Sequence, residues 1–138
     1  MAAEPGLPNR ERRKHPRVPD IFIVTYRLKS PFEVALKMKE KEYAAVAMDV
    51  SEGGLGVDVP QEIPVNTQVR LKFKMVNEFL ASEQDRQRFF DLDGESRYCR
   101  ILSEVSYRVG VLFKGVSAED SAFIAKYVKD QALKKYID

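Results

Sequence analysis

The sequence is poor in the residues that carry most catalytic and metal chemistry. Its 138 residues include one cysteine, one histidine and no tryptophan. Cys99 has no second cysteine with which to form an internal disulfide, and together with His15 it cannot supply the ligand cluster that a zinc site requires. The sequence therefore predicts no metal centre and no catalytic set, and we expect a protein that is not an enzyme. Cys99 is interpreted as a small buried hydrophobe, and His15 as a spacer among basic residues.

Long apolar runs are also missing. A membrane-spanning helix needs about 20 apolar residues, and the apolar core of a signal peptide needs about 7–15; the sequence contains neither. We therefore expect no membrane span and a cytoplasmic location. At about 150 residues per domain the length predicts one domain. A hydrophobic fraction of 44% is enough for one core and too high for a disordered chain.

Positive charge is concentrated near the N-terminus. Residues 1–17 hold five basic and two acidic side chains, whereas the rest of the chain holds 18 basic and 19 acidic ones. A local basic cluster on a nearly neutral body favours a small anionic partner over a broad acidic surface. A nucleic-acid polymer is therefore not the expected partner, because barrels that bind single strands usually combine a basic groove with stacking aromatics.

The residue pattern predicts a single strand-rich domain with a terminal helix. Apolar residues alternate with basic ones over 69–75, which is typical of a half-buried strand. Ser117 and Asp120 have the spacing of a helix N-cap. Short strands with Gly and Pro turns suggest a small barrel or a sandwich. The predicted organisation is a disordered tail (1–9), a basic arm (10–19), a strand-rich body (20–116) and a C-terminal helix (117–137).

Two segments of the body do not follow the strand pattern. Residues 31–42 fit an extended strand or a helical turn equally well. Residues 77–93 are charged and favour a short helix or a mobile insertion. Either this insertion or the C-terminal helix is a candidate surface for a partner protein, although the helix is more simply interpreted as packing on the body of the domain.

Two short motifs suggest a ligand site. The first is an RxxxR formed by Arg13 and Arg17, preceded by Arg12. The second is a DxSxxG that begins at Asp49 and ends at Gly54. Each motif alone is weak, since the first could be a solvated run of charge and the second a plain turn. In that turn, glycines are expected to supply backbone dihedrals that other residues avoid.

Together and in this order, the motifs resemble the PilZ domain family. The matching segments are RRKHPR at 12–17, DVSEGGLGV at 49–57 and YRVGVLFKGVS at 107–117, and the resemblance spans roughly residues 10–117. It implies a mainly β fold, a six-stranded antiparallel β-barrel with a C-terminal α-helix, and a receptor for the bacterial second messenger cyclic di-GMP. It also implies that the ligand is bound between the arm and the turn by Arg12, Arg13, Arg17, Asp49, Ser51, Gly53 and Gly54.

The chemistry of these residue types agrees with such a ligand. The arginine fork matches phosphate oxygens and also guanine O6 and N7. A carboxylate such as Asp49 can accept from guanine N1–H and N2–H₂, a pattern that adenine lacks. Ser51 can hold the turn or reach the ligand, and Gly53 and Gly54 would let the backbone approach a base. The resemblance further associates an arginine at position 12 with binding of a pair of ligand molecules.

A receptor of this kind would act by ordering its arm around the ligand and contacting an unidentified downstream protein. The alternative is a PilZ-fold adaptor that acts by protein–protein contact without binding the nucleotide.

Overall fold

The computed structural model describes residues 17–30 and 41–137. The predicted tail (1–9), most of the basic arm with Arg12, Arg13 and His15, and residues 31–40 lie outside the described residues, so the predictions made for them stay predictions.

Six strands, a short 3₁₀ helix and a long α-helix make up the described chain. Their bounds are β1 Val18–Ser30, β2 Tyr43–Ser51, β3 Gly54–Val59, β4 Gln68–Val76, 3₁₀ helix Glu83–Asp85, β5 Gln87–Ser103, β6 Ser106–Lys114 and α1 Ala118–Ile137.

The strands close into a ring in the order β1-β2-β3-β6-β5-β4, and every neighbouring pair is antiparallel. Ring closure distinguishes a barrel from a sandwich, so the six-stranded antiparallel barrel is confirmed. Closure also pairs the free edges that an open sheet would leave exposed. β1 contributes by pairing with β2 through its first half and with β4 through its second half.

The barrel interior is filled by side chains from alternate strand positions. In β4 the apolar residues of the alternating run 69–75 are all buried, as the period of two predicts. Phe73 of that run stacks on Phe90 of β5 with ring centroids 4.8 Å apart, and it also contacts Phe22 and Phe113. Offset aromatic pairs of this kind add to the free energy gained from apolar burial.

The helix α1 packs against the barrel through Ile124, Tyr127 and Val128, which belong to the same buried cluster as the barrel interior. Ser117 caps its N-terminus, because the Ser117 hydroxyl accepts a hydrogen bond from the backbone N–H of Asp120 at 3.0 Å. The predicted helix and its cap are thus confirmed. Leu133, nearer the end of the helix, is 51% exposed. No helix in the described part of the chain is long and apolar enough to cross a membrane.

The segment 77–93 differs from the sequence prediction in its second half. Residues 87–93 form the first part of β5. They pair with β4, from Val76 opposite Gln87 to Arg70 opposite Asp93. The charged side chains that hid this strand lie on its outer face, where Arg70 bridges Asp91 and Asp93. The first half does contain a short helix, the 3₁₀ turn.

Buried Asn77 ties this connection to the helix. Its side chain donates to Asp130 of α1 at 3.0 Å and accepts from the Phe79 backbone at 3.1 Å. The connection between β4 and β5 and the helix are thereby held together.

Candidate ligand-binding site

One row of paired residues crosses the outer face of the barrel. Pro19 pairs with Asp49, Asp49 with Gly56, Gly56 with Gly110, and Gly110 with Tyr98. Paired residues of an antiparallel sheet point to the same face. The Asp49 side chain is therefore displayed on the outside of the barrel, next to two positions that have no side chain.

Arg17 and Asp49 form the centre of the site. Arg17 precedes β1, and the pairing of Pro19 with Asp49 brings its guanidinium to β2. Its Nη1 donates to Asp49 Oδ1 at 2.8 Å, and the two side chains are 20% and 28% exposed. The same Oδ1 accepts from the Gly56 backbone N–H at 3.0 Å. The structure thus brings the end of the RxxxR motif and the start of the DxSxxG motif into contact.

Ser51 holds the turn between β2 and β3. Its side chain is buried, its hydroxyl accepts from the Gly53 backbone N–H at 3.2 Å, and it donates to the Gly54 carbonyl at 3.4 Å. Of the two roles considered from the sequence, these contacts correspond to holding the turn.

Gly54 of the motif serves strand packing. A Cβ on Gly54 would lie 2.1 Å from the Val111 carbonyl oxygen, so β3 and β6 can approach each other only if position 54 has no side chain. The expectation of unusual dihedrals at Gly53 and Gly54 is wrong. Among the described glycines, positive φ occurs at Gly115, after β6. The carbonyl of Gly53 instead accepts from the Phe113 N–H at 2.9 Å.

Arg108 is a residue of the site that the sequence did not single out. A pocket of about 310 Å³ beside the Arg17–Asp49 pair is lined by Arg17, Val18, Pro19, Met48, Asp49 and Arg108. Arg108 is paired in register with Asp58 across β6 and β3, and its side chain forms an ion pair with that carboxylate. The hydrogen bond with Asp58 raises the pKa of Arg108 above its usual value. The available signal was its place in the block 107–117.

The turn that carries the motif also contacts the helix. Ser121 of α1 donates to Glu52 Oε2 at 2.7 Å. A second cavity, of about 380 Å³, lies between this turn, the start of β1 and α1, and it is lined by Arg17, Val18, Glu52, Ala125, Val128, Lys129 and Ala132. Arg17 therefore borders both cavities.

Of the seven residues predicted to bind the ligand, the structure describes Arg17, Asp49, Ser51, Gly53 and Gly54. Arg12 and Arg13 lie outside the described residues. Within residues 17–30 and 41–137, no group of three or more His, Cys, Asp or Glu side chains could hold a metal ion.

A closed antiparallel barrel with a terminal helix defines a small β-barrel domain, and the arginine–carboxylate pocket on its outer face is the candidate ligand site. The family model of the PilZ domain matches residues 11–130, which is most of the chain. The chain belongs to the PilZ domain family.

Solved structures of three other proteins share the fold. The inhibitor of motility MotI (DgrA) of Bacillus subtilis aligns with a TM-score of 0.68 and 16% identity over 90% of this chain and 53% of that one. The K. pneumonia MrkH–c-di-GMP complex aligns with a TM-score of 0.61 and 17% identity over 91% of this chain and 54% of that one. The PilZ domain of YcgR from Escherichia coli with c-di-GMP aligns with a TM-score of 0.59 and 13% identity over 92% of this chain and 98% of that one.

The chain spans about half the length of MotI and MrkH and nearly all of the YcgR domain. At these identities the likeness shows the fold. No curated protein sequence matches the chain.

Proposed function

We propose that this chain is a receptor for cyclic di-GMP, a binding module without catalysis that passes its signal to a protein partner. The observation that carries the proposal is the contact between Arg17 and Asp49 at an open pocket on the outer face of a PilZ barrel. MrkH and YcgR, which share the fold, have structures described as complexes with c-di-GMP.

The donors and acceptors at the pocket suit a guanine nucleotide. Both hydrogen bonds that Asp49 accepts from the described residues fall on Oδ1. Oδ2 is thus the oxygen that we expect to accept from guanine N1–H and N2–H₂. The guanidinium of Arg17 provides planar donors for a phosphate or for the O6 and N7 edge of the base. We propose that Arg12 and Arg13 complete the site from the arm.

Ligand binding requires little rearrangement of the barrel. The Arg17–Asp49 pair is partly exposed, and such pairs contribute about 0–1 kcal/mol to stability. A ligand with two phosphodiester charges can therefore draw Arg17 away from Asp49 at small energetic cost. Asp49 itself stays fixed by the Gly56 N–H, so one wall of the site is formed before the ligand arrives.

The link from the site to the helix is the proposed path of the signal. Arg17 borders the cavity against α1, and Glu52 of the motif turn accepts from Ser121 of the helix. A change in the position of Arg17 would alter the surface formed by the start of β1 and the helix, where a downstream protein could dock. The cytoplasmic location expected from the sequence stays a prediction, which cell fractionation would test.

The second candidate function is that of an adaptor that acts by protein contact alone. It is favoured by the apolar tip of the β5–β6 hairpin, where Ile101 and Val105 are each 72% exposed and Leu102 is also exposed. Exposed apolar clusters of this kind often mark protein–protein contacts.

Calorimetric titration with cyclic di-GMP separates the two functions, with cyclic di-AMP and GTP as control ligands. Selective, saturable binding supports the receptor, and two ligands per chain would support the role proposed for Arg12. Arg17→Ala should weaken binding by about 5- to 150-fold, the range expected for loss of a bidentate arginine contact. Arg27→Ala, an exposed arginine further along β1, is the matched control and should bind like the wild type.

Absence of both heat and a thermal shift at about 100 µM cyclic di-GMP, which would nearly saturate a micromolar site, would overturn the receptor proposal. The adaptor would then be the function to test, by capture of the partner with and without substitutions at the hairpin tip.

A further inference from the structure

We infer that Arg108 is a third arginine that binds the nucleotide, that it reads the O6 and N7 edge of a guanine, and that Asp58 is the residue that positions it. This inference rests on the proposed function and adds a specificity determinant from β6, a different strand from the one that carries Asp49.

Arg108 and Arg17 approach the pocket from different parts of the chain. Arg17 enters from the segment before β1, whereas Arg108 stands on β6, two residues before Gly110. Both line the pocket of about 310 Å³ that also contains Asp49. A planar ligand in this pocket would have one carboxylate and two guanidinium groups among its neighbours.

The contact with Asp58 fixes the orientation of Arg108 and leaves donors unused. Asp58 accepts from Nε and from Nη2 of Arg108, the latter at 3.2 Å. This engages one side of the guanidinium. No hydrogen bond within the described chain engages Nη1. An arginine has five N–H donors, so the outer end of the fork is available to a ligand in a geometry set by Asp58.

Pairing with Asp58 also favours a neutral acceptor over a phosphate. The ion pair has no net charge, so its long-range attraction for an anion is small. Guanine O6 and N7 are neutral acceptors that match the arginine fork. Adenine places an amino donor where guanine has O6, and that donor would face the N–H groups of Arg108. Arg108 would therefore discriminate guanine from adenine on a different edge from the one that Asp49 reads.

Tyr98 supports this wall of the pocket. A Cβ on Gly110 would lie 2.0 Å from Cε2 of Tyr98, so the tyrosine ring lies directly on the Gly110 backbone. The ring therefore covers the sheet at Gly110, two residues along β6 from Arg108.

The first test compares Arg108→Ala with Arg70→Ala by titration with cyclic di-GMP. Arg70 is a matched control because it stands on β4, where its guanidinium is likewise held by carboxylates, those of Asp91 and Asp93, and it does not line the pocket. We expect Arg108→Ala to weaken binding by about 5- to 150-fold and Arg70→Ala to leave it unchanged. Arg108→Lys keeps the charge but lacks the fork, so it should lose most of the same affinity. Thermal unfolding of each variant verifies that the barrel is folded.

The second test asks which ligand atom Arg108 contacts. A cyclic di-GMP analogue with 7-deazaguanine bases lacks N7. If Arg108 reads that edge, the analogue should bind the wild type more weakly, and Arg108→Ala should abolish the difference between the two ligands. Such non-additivity identifies a direct contact. Asp58→Asn should reduce the same difference, since the positioning carboxylate is weakened while Arg108 is retained.

The outcomes separate this inference from the proposed function. If the wild type does not bind cyclic di-GMP, the proposed function fails. If the wild type binds and Arg108→Ala or Arg108→Lys binds equally well, the proposed function stands and the inference is wrong. If Arg108→Ala weakens both ligands by the same factor, Arg108 acts on another part of the nucleotide, and its assignment to the guanine edge is overturned.

Discussion

Replacement of Asp49 should affect stability and ligand selection through different atoms of one carboxylate. Oδ1 accepts from the Gly56 backbone N–H and from Arg17, whereas we propose Oδ2 as the acceptor for guanine. Asp49→Ala removes both oxygens. Asp49→Asn keeps one side-chain oxygen, which can still accept from Gly56, and removes the negative charge.

The structure gives the expected magnitude for each variant. Gly56 is buried, so loss of an acceptor for its N–H should lower the free energy of unfolding by about 1–3 kcal/mol. Loss of the partly exposed pair with Arg17 should add at most about 1 kcal/mol. We expect a decrease of about 2 kcal/mol for Asp49→Ala and below about 1 kcal/mol for Asp49→Asn.

Urea unfolding and calorimetric titration measure the two effects separately. Asp49→Ala should bind cyclic di-GMP more weakly and should prefer it less over cyclic di-AMP. Asp49→Asn should be nearly as stable as the wild type, and its affinity for cyclic di-GMP should lie between those of the wild type and Asp49→Ala. An Asp49→Ala protein that kept the wild-type preference for cyclic di-GMP would refute the assigned role of the carboxylate, and one of wild-type stability would refute the role of the Gly56 hydrogen bond.

Three further substitutions test the packing around the site and the docking of the helix. Gly54→Ala should lower the free energy of unfolding by about 3 kcal/mol, because its methyl group would lie 2.1 Å from the Val111 carbonyl oxygen. Gly110→Ala should lower it less, because its methyl group would meet the ring of Tyr98, a side chain that can move. Equal losses of stability for the two variants in urea unfolding would contradict this reasoning. Asn77→Ala should destabilise by about 2–3 kcal/mol, since it leaves buried Asp130 without its 3.0 Å donor, and unchanged unfolding would contradict it. Burial raises the pKa of Asp130, but its hydrogen bonds with Asn77 and Lys126 outweigh burial and hold the pKa below its usual value. The stability contributed by the ionised Asp130 should therefore be present near neutral pH and be lost as the pH falls below 3.8, which thermal unfolding at a series of pH values would measure.

The fold was predictable where side-chain alternation was clear. β4 alternates apolar and basic residues, and its apolar residues are those that fill the barrel. β5 was hidden in its first part because Asp91 and Asp93 on its outer face are partners of Arg70 on the neighbouring strand. In the sequence alone, a strand whose charges are paired with a neighbouring strand has the same residue pattern as a charged loop.

The site was predictable only in part for a similar reason. The motif residues Asp49, Ser51 and Gly54 lie within one hairpin, so their spacing in the sequence reports their spacing in the structure. Arg108 joins the same pocket from a strand more than 50 positions away, through pairing with Asp58. That contact depends on the order of strands in the ring, which no local pattern specifies.

The closed core explains why such a site must lie outside the barrel. The interior cavity, lined by residues such as Val24, Leu71 and Val109, has a volume of only about 10 Å³, and about 10–15 Å³ is needed to hold even one water. A nucleotide therefore has only the outer face available, and a strand offers there at most one side chain in two. A single strand cannot surround a ligand under that restriction. The walls must come from several strands, as Asp49 and Arg108 do, together with a residue that lies outside the strands, such as Arg17.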